Sequence, residues 1–374
     1  MVWRALLAGL AAAMLHAQAP PSVEPEKKWY QTLAFNGFLS GSYNWNFDQP
    51  AGRANAFRVF DFADNYWKLD VAEAVVQKAA SKKGDWGFRV DLEAGQSIPE
   101  IEAAYGLFRD PDSGKAGHFD IQQAFVSYIA PIGNGLRFDA GKYVSHMGYE
   151  VIDGYDGWND NATRSFLFGY AVPYTQTGVR VSYPFGDKLT AQLHFMNGWD
   201  EVTDNNHGKT VGFQVAYTPA PAVTLTVNGI YGPEQKEDDH DYRQVWELMA
   251  TWKASRRVSF GLDALYGHEA GAVEASEGRE QGSWPGAAGY LHTAVTSKFS
   301  LNLRSEIFAD RNGARTGVGQ SLKEVTATPE WRIDKHVILR GDVRFDWSTG
   351  EVFQKANGFA RQQLTAMINL LLVD

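Results

Sequence analysis

The sequence contains no cysteine. Disulfides, thiol nucleophiles and thiolate metal centres are therefore excluded, and no cysteine is present to carry a lipid anchor. A cysteine-free chain also suits passage through an oxidising compartment, where stray thiols crosslink. Long apolar runs are missing as well. No segment after residue 15 places eighteen apolar residues in succession, so no membrane-spanning helix is expected. A basic surplus is absent too. The formal charge is −9, and no basic patch stands out, which argues against a nucleic-acid partner.

The N-terminus departs from the rest. Arg4 supplies a positive start, Ala5 to Leu15 is apolar but too short to span a bilayer, and small residues follow at Ala17 and Ala19. Residues 1–17 are expected to be a secretory signal. Pro20 disfavours cleavage after Ala19, the other candidate site. A buried N-terminal helix is the competing reading. Residues 18–30, rich in proline and charge, read as an unstructured periplasmic leader. Residues 31–374 read as one domain.

What is abundant in that domain is alternation. Leu33, Phe35, Leu39, Tyr43 and Trp45 alternate with Asn36, Ser40, Ser42 and Asn44. Trp86, Phe88, Val90 and Leu92 alternate with Arg89, Asp91 and Glu93. Val337, Leu339, Val343, Phe345 and Trp347 alternate with Arg340, Asp342, Arg344 and Asp346. Similar segments recur near residues 136–139, 189–195, 211–217, 223–231 and 258–266. Weaker ones lie at 66–77, 118–130, 174–184, 242–254, 286–297, 299–309, 321–332 and 359–373, with the register of 118–130 ambiguous. Period-2 patterning is the mark of a strand with one apolar and one wet face. The total is about sixteen, an even number, as single-chain bacterial barrels require. Connections alternate strictly. Short turns near 79–85, 131–135, 184–187, 218–222, 254–257, 296–298 and 332–335 interleave with long loops near 46–65, 97–117, 146–173, 197–209, 232–241, 268–285, 310–320 and 348–358. That asymmetry predicts an all-β, transmembrane, antiparallel up-and-down barrel with short periplasmic turns and long extracellular loops. Aromatics make up 13% of the chain and gather near strand ends, among them Trp67, Trp86, Tyr128, Trp199, Trp252 and Trp331, as two interfacial girdles would require.

If apolar residues face lipid, the charges between them face the lumen. That places Arg89, Asp91, Glu93, Arg137, Asp139, Arg180, Arg304, Glu306, Arg340, Asp342, Arg344 and Asp346 inside as pore-lining candidates. On the lipid face at mid-depth an arginine would cost about 2–4 kcal/mol. A competing role for these charges is a self-neutralising ladder that braces the wall.

Several stretches carry a family resemblance. Ala140 to Ile152 (AGKYVSHMGYEVI), Arg164-Ser165 and Pro173 to Arg180 (PYTQTGVR) are similar to the OmpL-like family of bacterial β-barrel porins. So are Leu303 to Glu306, Asp310 to Gly313, Glu324 to Thr326 and Leu339 to Asp346. The likeness runs over most of 33–373. It implies an outer-membrane barrel with passive transport, bilayer lipid and lipopolysaccharide around it, and the barrel-assembly machinery as a partner. Outer-membrane barrels usually end in an aromatic residue that this machinery reads; here the end is Leu371-Leu372-Val373-Asp374.

The longest connection, 146–173, is the third extracellular loop. By analogy with general porins it is expected to fold into the lumen as a constriction. Its charges are Glu150, Asp153, Asp156, Asp160 and Arg164, facing a wall that supplies Arg89, Arg137, Arg180, Arg304, Arg340 and Arg344. Acid against base would set a field across the pore.

Enzymatic signals are weak. His194, His146 and His292 have no serine at telling spacing, and no Gly-x-Ser-x-Gly elbow occurs. Asp110 to Gly114 opens like a calcium loop, but residue 121, where the closing glutamate belongs, is Ile. Glu237 to Asp241 reads as a solvated loop tip. No metal and no cofactor is expected. The reading is a water-filled channel for small polar solutes and ions, with a homotrimer expected by analogy. The alternatives are a sugar- or anion-selective channel, or a non-conducting barrel acting as adhesin or scaffold.

Overall fold

The computed structural model describes residues 28–101, 107–108, 116–276 and 278–374. The expected signal and almost all of the expected leader, like the Asp110–Gly114 stretch, fall outside them. A single 3-10 turn, Trp29–Thr32, precedes the barrel in sequence.

Fifteen strands follow: β1 (Ala34–Asn46), β2 (Tyr66–Lys78), β3 (Trp86–Ala94), β4 (Phe119–Ala130), β5 (Leu136–Val144), β6 (Thr175–Pro184), β7 (Leu189–Met196), β8 (Thr210–Ala220), β9 (Val223–Pro233), β10 (Tyr242–Lys253), β11 (Val258–Ala275), β12 (Gly278–Ala294), β13 (Phe299–Asp310), β14 (Gln320–Arg332) and β15 (Val337–Ser348). A small hairpin, β16 (Phe353–Gln354) with β17 (Phe359–Ala360), sits in the last loop, and β18 (Gln362–Val373) completes the wall. All barrel pairings are antiparallel, and all but the closing pair join strands that follow one another around the wall in chain order. β18 pairs with both β15 and β1, from Phe38↔Val373 to Asn46↔Thr365, so the sheet closes with sixteen strands among the described residues. Closure satisfies every strand edge, which a bilayer demands because lipid offers no hydrogen bonds.

Period-2 burial follows the sequence pattern. In β13, Ser300, Asn302, Arg304 and Glu306 are buried while Leu301, Leu303 and Ile307 are exposed. In β15, Arg340, Asp342, Arg344 and Asp346 are buried while Leu339, Val343 and Phe345 are exposed. The outer wall is thus apolar and the inner face polar. Trp67, Trp86, Tyr128, Tyr217, Trp252 and Trp331 are exposed near strand ends, as girdles require.

Three expectations need correction. Residues 268–285 are not a loop: β11 and β12 stay paired to Ala275↔Gly278, with a bulge between Glu269 and Val273 where Gly271 has φ +61°. Apart from Val273 and Trp284 the residues there are polar or small, so this stretch of the ladder carries little apolar signature to read. Trp199 is no girdle residue but is buried beneath Arg243 and Arg315. Residues 359–373 divide at Arg361 between β17 and β18. The ambiguity of 118–130 also has a cause. Gln122 and Gln123 are both buried, because a bulge between Asp91 and Leu92 resets the register there.

Candidate functional site: the inner loop and the wall around it

The connection between β5 and β6, residues 145–174, runs across the inside of the barrel and is held by two physically different sets of contacts.

The first set is apolar. Phe166, Leu167, Phe168, Ala171 and Val172 of the loop are buried with Ile230, Val245, Leu265, Trp284, Phe308 and Leu322, which project inward from β9 to β14. Leu167–Ala171 winds into a short π-helical turn. Tyr170 stacks near Phe308 with ring centroids 6.4 Å apart, and the Trp284 indole N–H donates to the Ala171 carbonyl at 3.4 Å. Trp284 lies against Gly267 so closely that a Cβ there would meet the ring at 1.9 Å; glycine is what makes room. These inward apolar residues interrupt the polar inner face.

The second set is ionic. Arg304 Nε donates to Glu324 Oε1 at 2.8 Å, and its Nη1 to Glu150 Oε1 at 2.7 Å and the Thr163 carbonyl at 2.6 Å. Arg340 Nη2 reaches Asp153 Oδ2 at 2.9 Å, and the Asp153 carboxylate also holds Arg164 at 2.9 Å. Arg344 donates to Asp346 Oδ1 at 2.7 Å and to the Arg164 carbonyl, and its guanidinium lies 4.6 Å over the Phe166 ring. Wall carboxylates take the loop's backbone N–H groups. Glu306 accepts from Phe166 and Leu167, Asp342 from Ala162 and Thr163, and Glu247 from Gly148. A segment folded inside a barrel must have its amides satisfied, and these side chains do it. Burial pushes the Asp153 carboxyl up, but Arg164 and Arg340 outweigh it and hold the group below the usual carboxylate range. Asp160, half exposed, faces His292 at 3.4 Å.

The first loop joins in. Arg58 donates to Asp346 Oδ2 at 2.6 Å and to Thr365 at 3.0 Å, and pairs with Asp61. Neither Arg58 nor the inward apolar anchors were among the candidates. The anchors do leave a signal: consecutive apolar pairs such as Val245-Trp246 and Ile307-Phe308 fill both faces of one strand. Arg58 leaves none.

The remaining candidates lie on the opposite side. Arg89 binds Asp91 at 2.8 Å and Asp156 at 2.6 Å. Gln122 donates to Glu93 and Gln123 to Asp91. Arg137 and Arg180 both bind Asp139. Here the loop leaves space. A cavity of about 570 Å³ lies between it and β2–β6, bordered by Glu73, Arg89, Gln123, Arg137, Asp156 and Arg180. A second, of about 400 Å³, lies on the other flank against Thr224, Thr226, Thr251 and Tyr290. At the loop's root His146 stacks on His194, centroids 4.0 Å apart, and its ring nitrogens meet Gln176 and the Gly229 carbonyl rather than a hydroxyl. Burial pushes the His146 imidazole down to about 4, so it is neutral at pH 7. At the loop tip 237–241, Asp238 and Asp239 cap nearby backbone N–H groups. The described residues hold no cluster of three or more acidic or imidazole groups suited to a metal.

The family described as "Putative beta-barrel porin-2, OmpL-like" matches residues 32–372. No curated protein matches the chain. Among solved structures the fold is similar to the anion-selective porin from Comamonas acidovorans, with a TM-score of 0.58 and 11% identity over 91% of this chain and 98% of that one. It is similar to OprB of Pseudomonas putida in its high-pH structure, with a TM-score of 0.62 and 8% identity over 92% and 94%. It is also similar to the trimer form of in-vitro folded OmpT, an outer membrane protein of Vibrio cholerae, with a TM-score of 0.56 and 11% identity over 91% and 98%.

Proposed function

Because this chain belongs to the OmpL-like family of β-barrel porins, we propose that it passes small polar solutes and ions along one side of its lumen, between the inner loop and β2–β6. The protein is an outer-membrane channel and not an enzyme. The observation that carries the finer reading is the 570 Å³ cavity with charged borders beside a loop locked to the far wall. The larger open space on one side, about 570 Å³ against about 400 Å³ on the other flank, makes the path eccentric. Arg89, Asp91, Glu93, Arg137, Asp139 and Arg180 then lie on or just behind the path. Arg304, Glu306, Arg340, Asp342, Arg344 and Asp346 hold the constriction in place. Loop residues Glu150, Asp153 and Arg164 serve the same bracing, and Asp156 borders the path.

Acid and base here meet in direct contact rather than across a gap. The field along the path therefore comes from residual charge, not from a fully opposed pair of walls.

The absence of native cysteine makes a clean test possible. In a planar bilayer, a bulky charged thiol reagent is expected to cut the conductance of Asp156→Cys, whose side chain is half exposed on the larger cavity, by about half or more, since a pore is limited by its narrowest part. Thr224→Cys, on the smaller cavity, is expected to change little. Block at Thr224→Cys with none at Asp156→Cys would move the path to the other flank; no conductance in the unmodified protein would reject the channel.

The trimer form of OmpT supports a homotrimer for this chain as well. Light scattering in detergent is expected to give three times the protomer mass. A monomer mass at all concentrations would reject it.

A further inference from the structure

Most arginines of the inner wall are matched by carboxylates and shut away. The side chains of Arg304, Arg340 and Arg344 are at most 1% exposed, and each meets at least one carboxylate. Arg137 and Arg180 are not shut away. Their side chains are 36% and 20% exposed, and both border the larger cavity. They also share one carboxylate. Asp139 takes Arg137 Nε at 2.8 Å on Oδ1 and Arg180 Nε and Nη2 at 3.0 and 2.8 Å on Oδ2. Ser127 donates to the same Oδ1 at 2.6 Å and accepts Arg137 Nη2 at 2.9 Å. Asp139 is thereby saturated, and two cations over one anion leave a surplus of one positive charge.

The geometry is also fixed before any solute arrives. Arg180 lies 4.8 Å over the Tyr143 ring and 5.8 Å from Phe125. Arg137 spends two of its five N–H groups, one on Asp139 and one on Ser127, and Arg180 spends two, both on Asp139; each keeps three for another acceptor. A rigid fork of that kind matches a carboxylate or phosphate better than it matches a spherical ion. Arg89 does not extend the surplus, because Asp91 and Asp156 both bind it, and Glu73 borders the same cavity. The positive charge is local. It lies near the start of β5, at the short-turn end, where a solute that has passed the inner loop leaves the barrel.

We propose that Arg137 and Arg180, both held by Asp139, form a binding site for a small oxyanion, a carboxylate or a phosphate, on the periplasmic side of the inner loop. Its place on a permeation path rests on the channel reading above; binding itself does not.

The first test therefore needs no current. Inorganic phosphate titrated onto the detergent-solubilised protein, followed by phosphorus NMR, is expected to bind saturably. The double variant Arg137→Gln/Arg180→Gln is expected to lose that binding while its heat-shifted gel mobility stays that of a folded barrel. Asp139→Asn, which raises the surplus, is expected to bind more tightly. Acetate is expected to compete; failure to compete would narrow the ligand to phosphate. In a bilayer under a salt gradient, the double variant is expected to shift permeability toward the cation by about threefold or more. Undiminished phosphate binding by the folded double variant, or no saturable binding by the native protein, would overturn the site. A native protein that binds phosphate but passes no current would leave the site standing and reject the channel.

Discussion

Replacing Arg304 with alanine is expected to destabilise the folded barrel by about 3–5 kcal/mol, the cost of leaving buried charge without its partner. The side chain is fully buried and holds Glu324 of the wall and Glu150 of the loop together. Without it two carboxylates face each other in a site closed to water, and the Thr163 carbonyl loses its donor. Denaturant unfolding in detergent reads the loss as a lower midpoint at an unchanged slope. Single-channel recording is expected to show a larger and noisier conductance as the loop detaches. Arg304→Lys is expected to recover the charge but not the fork, and so only part of the stability. Removing the charges together, in Arg304→Met/Glu150→Gln/Glu324→Gln, is expected to cost less than Arg304→Ala alone, because no unpaired charge remains. An unchanged midpoint for Arg304→Ala would show that this cluster does not brace the loop.

Replacing Trp284 with alanine tests the apolar half of the same attachment. Trp284 has no exposed surface, lies over Gly267 and packs in the cluster that includes Phe166, Leu167 and Phe308. Removing a buried indole leaves a cavity that the closed strands cannot collapse, and the expected loss is about 3–5 kcal/mol. The Arg315 guanidinium, 5.2 Å over the ring, would lose one of its two aromatic faces, Trp199 being the other. The readout is again the denaturant midpoint, with hydrogen exchange at residues 166–172 to localise the change. Exchange is expected to rise there first, since the loop owes its protection to this packing. A lower midpoint with no change in exchange at the loop would mean that Trp284 stabilises the wall but not the attachment.

Together the two variants separate the forces that close one side of the lumen. Charge pairs fix the loop's position, because each bond demands one geometry. The apolar cluster excludes water from around the Phe166–Val172 segment, and water exclusion strengthens the neighbouring ion pairs. Neither set alone explains why the open space lies beside β2–β6.

Much of the barrel is legible in the chain because lipid imposes a rule that acts residue by residue. Leu303 and Arg304 cannot exchange faces without placing a guanidinium in hydrocarbon, so alternation reveals which side each takes. The same holds for Val343 and Arg344. The rule weakens where lipid stops acting. β11 and β12, with 18 and 17 residues, are longer than the roughly 9–11 residues a bilayer asks of a strand, and nothing in Glu269 or Gln281 announces a strand. It also weakens at Gln122 and Gln123, where a bulge in the ladder turns two neighbours to the same side. The functional region was legible in composition but not in partnership. Arg304 and Glu150 could each be placed near the lumen, yet 154 positions separate them, and no local pattern says that they meet.

From the sequence alone follow the closed all-β wall, its outward apolar face and the inward set of charges, since a bilayer penalises every alternative at the level of single residues. The tertiary structure decided the rest: which charges are spent on holding residues 145–174, which apolar side chains turn inward to receive it, and that Arg137 and Arg180 keep a surplus on the open side. Those outcomes depend on contacts between segments far apart in the chain, and such contacts come into being only when the barrel has closed around the loop.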